Sequence, residues 1–145
     1  MALGDALAVH IKRFVDSLGW EFEAIVPVPL GEKRMRERGY NQVALIAKPV
    51  SLALDSMYRP AALKRQRDTR SQVGLSAGER RDNVRNAFLA DPNFVRGKSV
   101  LVMDDVATTG ATLTSSAEAL LHAGASQVYA ITVARALPHH GLNLI

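Results

Sequence analysis

Val100-Leu-Val-Met-Asp104-Asp105-Val-Ala-Thr108-Thr109-Gly110-Ala-Thr112 is the segment around which the rest of the chain is arranged. Val100 to Met103 is a short unbroken apolar run, which suits a parallel strand buried on both faces. Two adjacent carboxylates close the run. Ala107 to Thr112 are small or hydroxyl-bearing with a glycine among them. Beyond them Leu113, Ala117, Leu120 and Leu121 recur at helical spacing. The order is strand, acidic tip, small-residue turn, helix.

That order suits a phosphorylated sugar. Small residues let the backbone turn tightly and approach a ligand, and the first-turn N–H groups of a helix, with its positive dipole end, favour a phosphate. Thr108, Thr109 and Thr112 add hydroxyl donors. Asp104 and Asp105 stand at the carboxyl end of the strand, where open α/β sheets place their ligands. Adjacent strand residues point to opposite faces, so the two acids should have different tasks. They can accept from vicinal hydroxyls or hold water on a divalent cation. No Gly-Lys-Ser/Thr follows, which excludes a Walker loop. An ordinary strand-helix turn or another mononucleotide loop is the competing reading.

The 145-residue chain is most simply one domain: an N-terminal helix in 1–20, a core in 24–135 and a tail in 136–145. It contains no cysteine, so disulfides and thiolate metal sites are excluded, which fits a reducing compartment. No apolar run has membrane-spanning length and Met1 to Ile11 is no signal peptide; a cytoplasmic location is the expectation. The net charge of +4 is unevenly spread, with thirteen Lys/Arg against six Asp/Glu between Gly31 and Arg85. Such a surplus attracts a polyanion, either a pyrophosphate in a cleft or a nucleic-acid backbone.

From Asp5 to Leu18 the apolar positions share one helical face and Gly19 is placed to stop the helix. Ala24 to Val28 reads as a strand limited by Pro27. Pro29 to Gln42 then reads as a loop, with Lys33, Arg34, Arg36 and Arg38 concentrated between two glycines. A solvated turn is the commoner fate of such a run. Asn41 suits the cap of a following helix, which Pro49 should kink or interrupt. Ala61 to Leu63 suggests a short strand, and Lys64 to Leu75 a basic mobile loop. Ser76 and Glu79 have capping-box spacing for a short helix through Val84. Asp91-Pro92 and Gly97-Lys98 mark turns, Gly124 suits the end of the helix from Leu113 to His122, and Val128 to Val133 reads as the last parallel strand. His139 and His140 find no partners for a zinc site.

The Val100 to Thr112 segment closely resembles the phosphoribosyl-pyrophosphate (PRPP) motif of type I phosphoribosyltransferases. The resemblance implies an α/β fold with a mostly parallel central sheet flanked by helices. It implies that Asp104 and Asp105 bind the ribose as catalytic residues, and that Ala107, Thr108, Thr109, Gly110, Ala111 and Thr112 bind the 5′-phosphate. It also implies that the loop after the first core strand binds pyrophosphate, with Arg34, Arg36 and Arg38 as candidates. Guanidinium forks match phosphate oxygens. A flexible hood, here Arg65, Arg67, Thr69 and Gln72, would close over PRPP and exclude water. Mg²⁺ would be held mainly through PRPP, close to Asp104 and Asp105.

Further segments resemble the ComF family, phosphoribosyltransferase-like proteins associated with competence for DNA uptake. They are Val26-Pro-Val-Pro-Leu30, Arg36 to Gln42, Arg65-Gln-Arg-Asp-Thr69 with Gln72 and Leu75, Arg80-Arg-x-Asn83-Val, and Ala87-Phe88. The resemblance covers about Ala24 to Arg135. Many members carry a cysteine-rich zinc-finger-like N-terminal segment; this chain has no cysteine, so zinc is not carried over. Purine-salvage relatives place an acid at the position of Thr108, which argues against a purine acceptor. The expectation is transfer of a phosphoribosyl group from PRPP to an unidentified nitrogen nucleophile, with pyrophosphate released and no residue standing out as general base. A non-enzymatic PRPP-binding or DNA-associated accessory is the alternative, and nucleic acid and a second copy of the chain are left open as partners.

Overall fold

A computed structural model describes residues 3–66, 87–107 and 110–135. Its centre is a four-stranded sheet with all neighbouring strands parallel, ordered β2-β1-β5-β6. Here β1 is Ala24–Pro27, β2 Met57–Tyr58, β5 Ser99–Ala107 and β6 Gln127–Arg135. The mostly parallel α/β architecture expected from the sequence is therefore present. Val100, Leu101, Val102 and Met103 are fully buried, as an interior strand covered on both faces requires.

Alternation along β5 sends Val100 and Val102 to one side and Leu101 and Met103 to the other, and each pair anchors a different core. On the Leu101 side lie α1 (Leu3–Leu18) and α3 (Gln42–Ala53), through Ala8, Ile11, Val15, Val43, Ala47 and Val50. On the Val102 side lie α5 (Ala111–His122) and a two-stranded antiparallel ribbon of β3 (Leu63–Arg65) and β4 (Phe88–Ala90). The short helix α4 (Pro92–Val95), capped by the Asp91 side chain, leads from the ribbon toward β5.

Several expectations need correction. The basic segment after β1 is not all loop, because Glu32–Arg38 form a helix, α2. Glu, Lys, Arg and Met are strong helix formers, and Gly39 ends the helix in the left-handed conformation at φ 75°. Pro49 does not interrupt α3, which runs through it to Ala53. A proline has no N–H and leaves the carbonyl four residues earlier, that of Leu45, without its helical donor. Gly4 of α1 approaches this carbonyl so closely that a Cβ there would lie 2.3 Å from the Leu45 oxygen. The strand expected over Ala61 to Leu63 instead begins at Leu63, and Met57–Tyr58 form an additional parallel edge strand. Arg65 belongs to β3, where it pairs with Phe88, and not to a mobile loop. Finally, β5 continues past both acids to Ala107. The capping box at 76–79, the helix through Val84 and the tail with His139 and His140 lie outside the described residues.

Candidate functional site

The site is assembled at the carboxyl end of β1 and β5. Pairing of β1 with β5 brings Pro27 beside Met103, and the Val28 N–H donates to the Met103 carbonyl at 2.8 Å, so the two strands stay joined up to the first acid. Asp104 and Asp105 follow. By alternation Asp104 shares the face of Val100 and Val102, toward the ribbon and α5. Asp105 shares the face of Leu101 and Met103, toward α1 and α3.

Their environments differ accordingly. Asp104 is 9% exposed, whereas Asp105 is half-buried. One oxygen of Asp104 accepts from the Asp105 main-chain N–H at 2.9 Å. Burial is the main reason that the Asp104 carboxyl is pushed up from 3.8 to about 6. The Asp105 main-chain bond opposes that rise, the Asp105 side chain adds to it, and the Arg65 charge lowers it. Asp104 is thus a carboxyl that gains from any cation brought to it. The Asp105 carbonyl lies 3.3 Å from the Thr132 hydroxyl of β6, whose shorter bond is to the Ala134 carbonyl at 2.7 Å.

Past Ala107 the chain reaches Gly110, whose φ of 80° and ψ of 0° lie in the left-handed region that a Cβ disfavours. Gly110 occupies the N-cap position of α5 and supplies no side-chain cap. The positive end of a twelve-residue helix therefore begins three residues after the strand that carries both acids. Ala111 and Thr112 lie in its first turn. Of the expected phosphate-binding residues, Ala107 is described by its backbone alone, and Thr108 and Thr109 lie outside the described residues.

The segment after β1 is tied down at its root. Asn41 accepts from the Val43 N–H at 3.0 Å as the cap of α3, while its amide nitrogen donates to the Val28 carbonyl at 3.1 Å. Arg36 and Arg38 are exposed on α2, and Arg38 donates to Gln42 at 3.1 Å. Arg34 lies on the same helix, with its side chain outside the described set. Arg65 reaches in from the ribbon. Its guanidinium lies 4.6 Å from the centre of the Phe88 ring, makes a long 3.4 Å contact with the Pro29 carbonyl, and acts electrostatically on Asp104. Arg67, Thr69 and Gln72 lie outside the described residues. The links made by Asn41 to Val28 and by Arg65 to Pro29 span 13 and 36 residues, and no local signal in the sequence announces either.

Among the described residues no three His, Cys, Asp or Glu side chains gather to form a metal cage. What Asp104 and Asp105 offer is oxygen donors of the kind that Mg²⁺ combines with water and substrate phosphates. A groove of about 760 Å³ runs between the ribbon and α5, with Lys64, Phe88, Glu118 and His122 among its lining residues. None of the expected site residues that are described lines this groove.

Residues 44–140 match the family of the phosphoribosyl transferase domain. The chain belongs to this family. Among curated relatives, Competence protein F of Haemophilus influenzae is 40% identical over 116 residues, covering 79% of this chain and 51% of that protein. Competence protein ComFC of Bacillus subtilis is 30% identical over 114 residues, covering 77% and 44%. DNA utilization protein YhgH of Escherichia coli is 38% identical over 115 residues, covering 79% and 50%. These relatives support the ComF resemblance, and the chain spans about half their length. Among solved structures, the glutamine PRPP amidotransferase of B. subtilis superposes with a TM-score of 0.58 at 23% identity, over 90% of this chain and 25% of that one. Adenine phosphoribosyltransferase of Thermoanaerobacter pseudethanolicus gives 0.52 at 14% identity, over 91% and 80%. The chain shares its fold with both of these solved structures. Among the described residues no helix is long and apolar enough to cross a membrane.

Proposed function

We propose that this chain binds PRPP with Mg²⁺ and transfers its phosphoribosyl group to a nitrogen nucleophile, releasing pyrophosphate. The observation that carries the reading is the juxtaposition of an acid pair, Asp104 buried and Asp105 half-buried, near the end of an interior parallel strand, with the glycine-led N-terminus of α5, whose N-cap Gly110 lies three residues beyond that strand. Asp104 and Asp105 would accept from the ribose hydroxyls and orient the sugar, while the first turn of α5 would receive the 5′-phosphate. Arg36 and Arg38 would offset charge on the departing pyrophosphate. Mg²⁺, when bound, would supply further charge compensation on the same leaving group. The bond from the anomeric carbon to the pyrophosphate oxygen breaks and a carbon–nitrogen bond forms, with oxocarbenium character between. Catalysis would rest on positioning and charge rather than on a general base.

Calorimetric titration of Mg–PRPP into wild type and into the Asp104→Asn/Asp105→Asn double variant tests the pocket. Binding that collapses in the variant supports it, and screening nitrogenous acceptors for pyrophosphate release then tests turnover. A folded wild type that does not bind refutes it.

A second reading, a DNA-associated accessory, is favoured by the basic surplus between Gly31 and Arg85 and by the names of the relatives. It requires a DNA affinity that falls steeply with salt and persists when PRPP is bound.

A further inference from the structure

Asn41 has a second task that its capping role conceals. Its amide oxygen faces the Val43 N–H and its amide nitrogen faces the Val28 carbonyl, at 3.0 and 3.1 Å. Exchanging the two amide atoms would set donor against donor and acceptor against acceptor, so the partners fix the orientation. Val28 is the last residue tied to β5, through its N–H and the Met103 carbonyl at 2.8 Å. Asn41 therefore closes a thirteen-residue excursion onto the strand end adjoining Asp104, and that excursion contains α2 with Arg36 and Arg38. Arg38 is in turn held by Gln42, the residue after Asn41, at 3.1 Å.

We propose that Asn41 is the positioning residue of the pyrophosphate subsite: its amide N–H on the Val28 carbonyl fixes α2, and with it Arg36 and Arg38, relative to the acids of β5. The proposal rests on the PRPP reading of the site above. A cap alone needs only an oxygen, which serine and aspartate supply about as well as asparagine. The link to Val28 needs a donor at the reach of an amide. Positioning of this kind acts on the ligand group that the arginines meet and spares the one bound at α5.

The test uses Asn41→Ser, which keeps a capping oxygen and lacks the donor to Val28, with melting temperature and the affinities for Mg–pyrophosphate and for ribose 5-phosphate as readouts. The expected result is a melting temperature close to wild type, a pyrophosphate affinity lower by about three- to tenfold, and an unchanged affinity for ribose 5-phosphate. Asn41→Thr, which also keeps a capping oxygen and adds no charge, repeats the test if the serine variant folds poorly. Unchanged pyrophosphate affinity, an equal loss of both ligands, or unfolding of both cap-preserving variants would each overturn the proposal. A wild type that binds neither ligand would instead refute the PRPP reading, and the subsite with it.

Discussion

Asp104→Asn should stabilise the ligand-free protein at neutral pH while removing its affinity for PRPP. The Asp104 carboxyl is buried and titrates near 6 instead of 3.8. A carboxyl whose folded value is raised binds its proton more tightly in the folded state. Below about pH 4 both states are protonated and the group is neutral in its effect. As pH rises from about 4 to 6 the unfolded chain ionises first, stability falls, and the loss persists at higher pH. The interval between 3.8 and about 6 corresponds to a cost of about 3 kcal/mol. Asparagine does not ionise, and its oxygen can still accept from the Asp105 N–H. Its new amide donors need partners in a buried place, at a cost of about 1 kcal/mol that does not depend on pH. The variant should therefore be somewhat less stable than wild type at pH 4 and more stable by roughly 1–2 kcal/mol at pH 8. Thermal denaturation in EDTA, followed by circular dichroism across that range, should show the variant's melting temperature gaining roughly 4–10 °C on wild type between pH 4 and pH 8. Parallel pH profiles, or a variant that loses ground as pH rises, would refute the burial argument.

Gly4→Ala forces a Cβ against the Leu45 carbonyl, a backbone atom that cannot swing aside, so α1 must shift on α3. The expected loss is about 1–3 kcal/mol, read as a lower denaturation midpoint, and an unchanged midpoint would show that the close approach is not needed. Arg65→Met keeps the apolar stem against Phe88 and deletes the charge that holds the Asp104 value down. A carboxyl ¹³C titration should then place Asp104 higher than in wild type, and a lower or identical value would remove Arg65 from the electrostatics of the site.

Much of this fold could be read from the sequence because its centre is locally encoded. Val100 to Met103 are apolar without alternation, which only a doubly covered strand explains, and the acids, glycine and helix follow within a dozen residues. The Asn41 cap was legible for the same reason. Helix α2 was not. Met35 is the only apolar residue among Glu32–Arg38, so there is no hydrophobic stripe to give a period, and the clustered cations read as loop. The run of α3 through Pro49 comes with the close approach of Gly4 in α1 to the Leu45 carbonyl, a tertiary contact that no local pattern announces. The placement of Arg65 depends on β3 finding β4 more than twenty residues away, where no periodic signal links the two.

That placement changes how the basic segment after β3 relates to the acids. The ribbon is closed by β3–β4 pairing and by the Gln66 N–H donating to the Ala87 carbonyl at 2.8 Å, so Gln66, where the chain leaves the ribbon, and Ala87, where it re-enters, are adjacent points. Both points lie on the side of the sheet that Asp104 faces, and Arg65, one residue from the exit, acts on Asp104 directly. By alternation Asp105 faces the other side of the strand, that of Leu101 and Met103. Adjacent carboxylates thus meet different surroundings, Asp104 being buried within electrostatic reach of Arg65 at the end of β3 and Asp105 half-buried on the opposite face. A perturbation that moves the ribbon should therefore register in the titration of Asp104, through the Arg65 charge. The two carboxylates stand on opposite faces of one strand, a difference that follows from the alternation of β5.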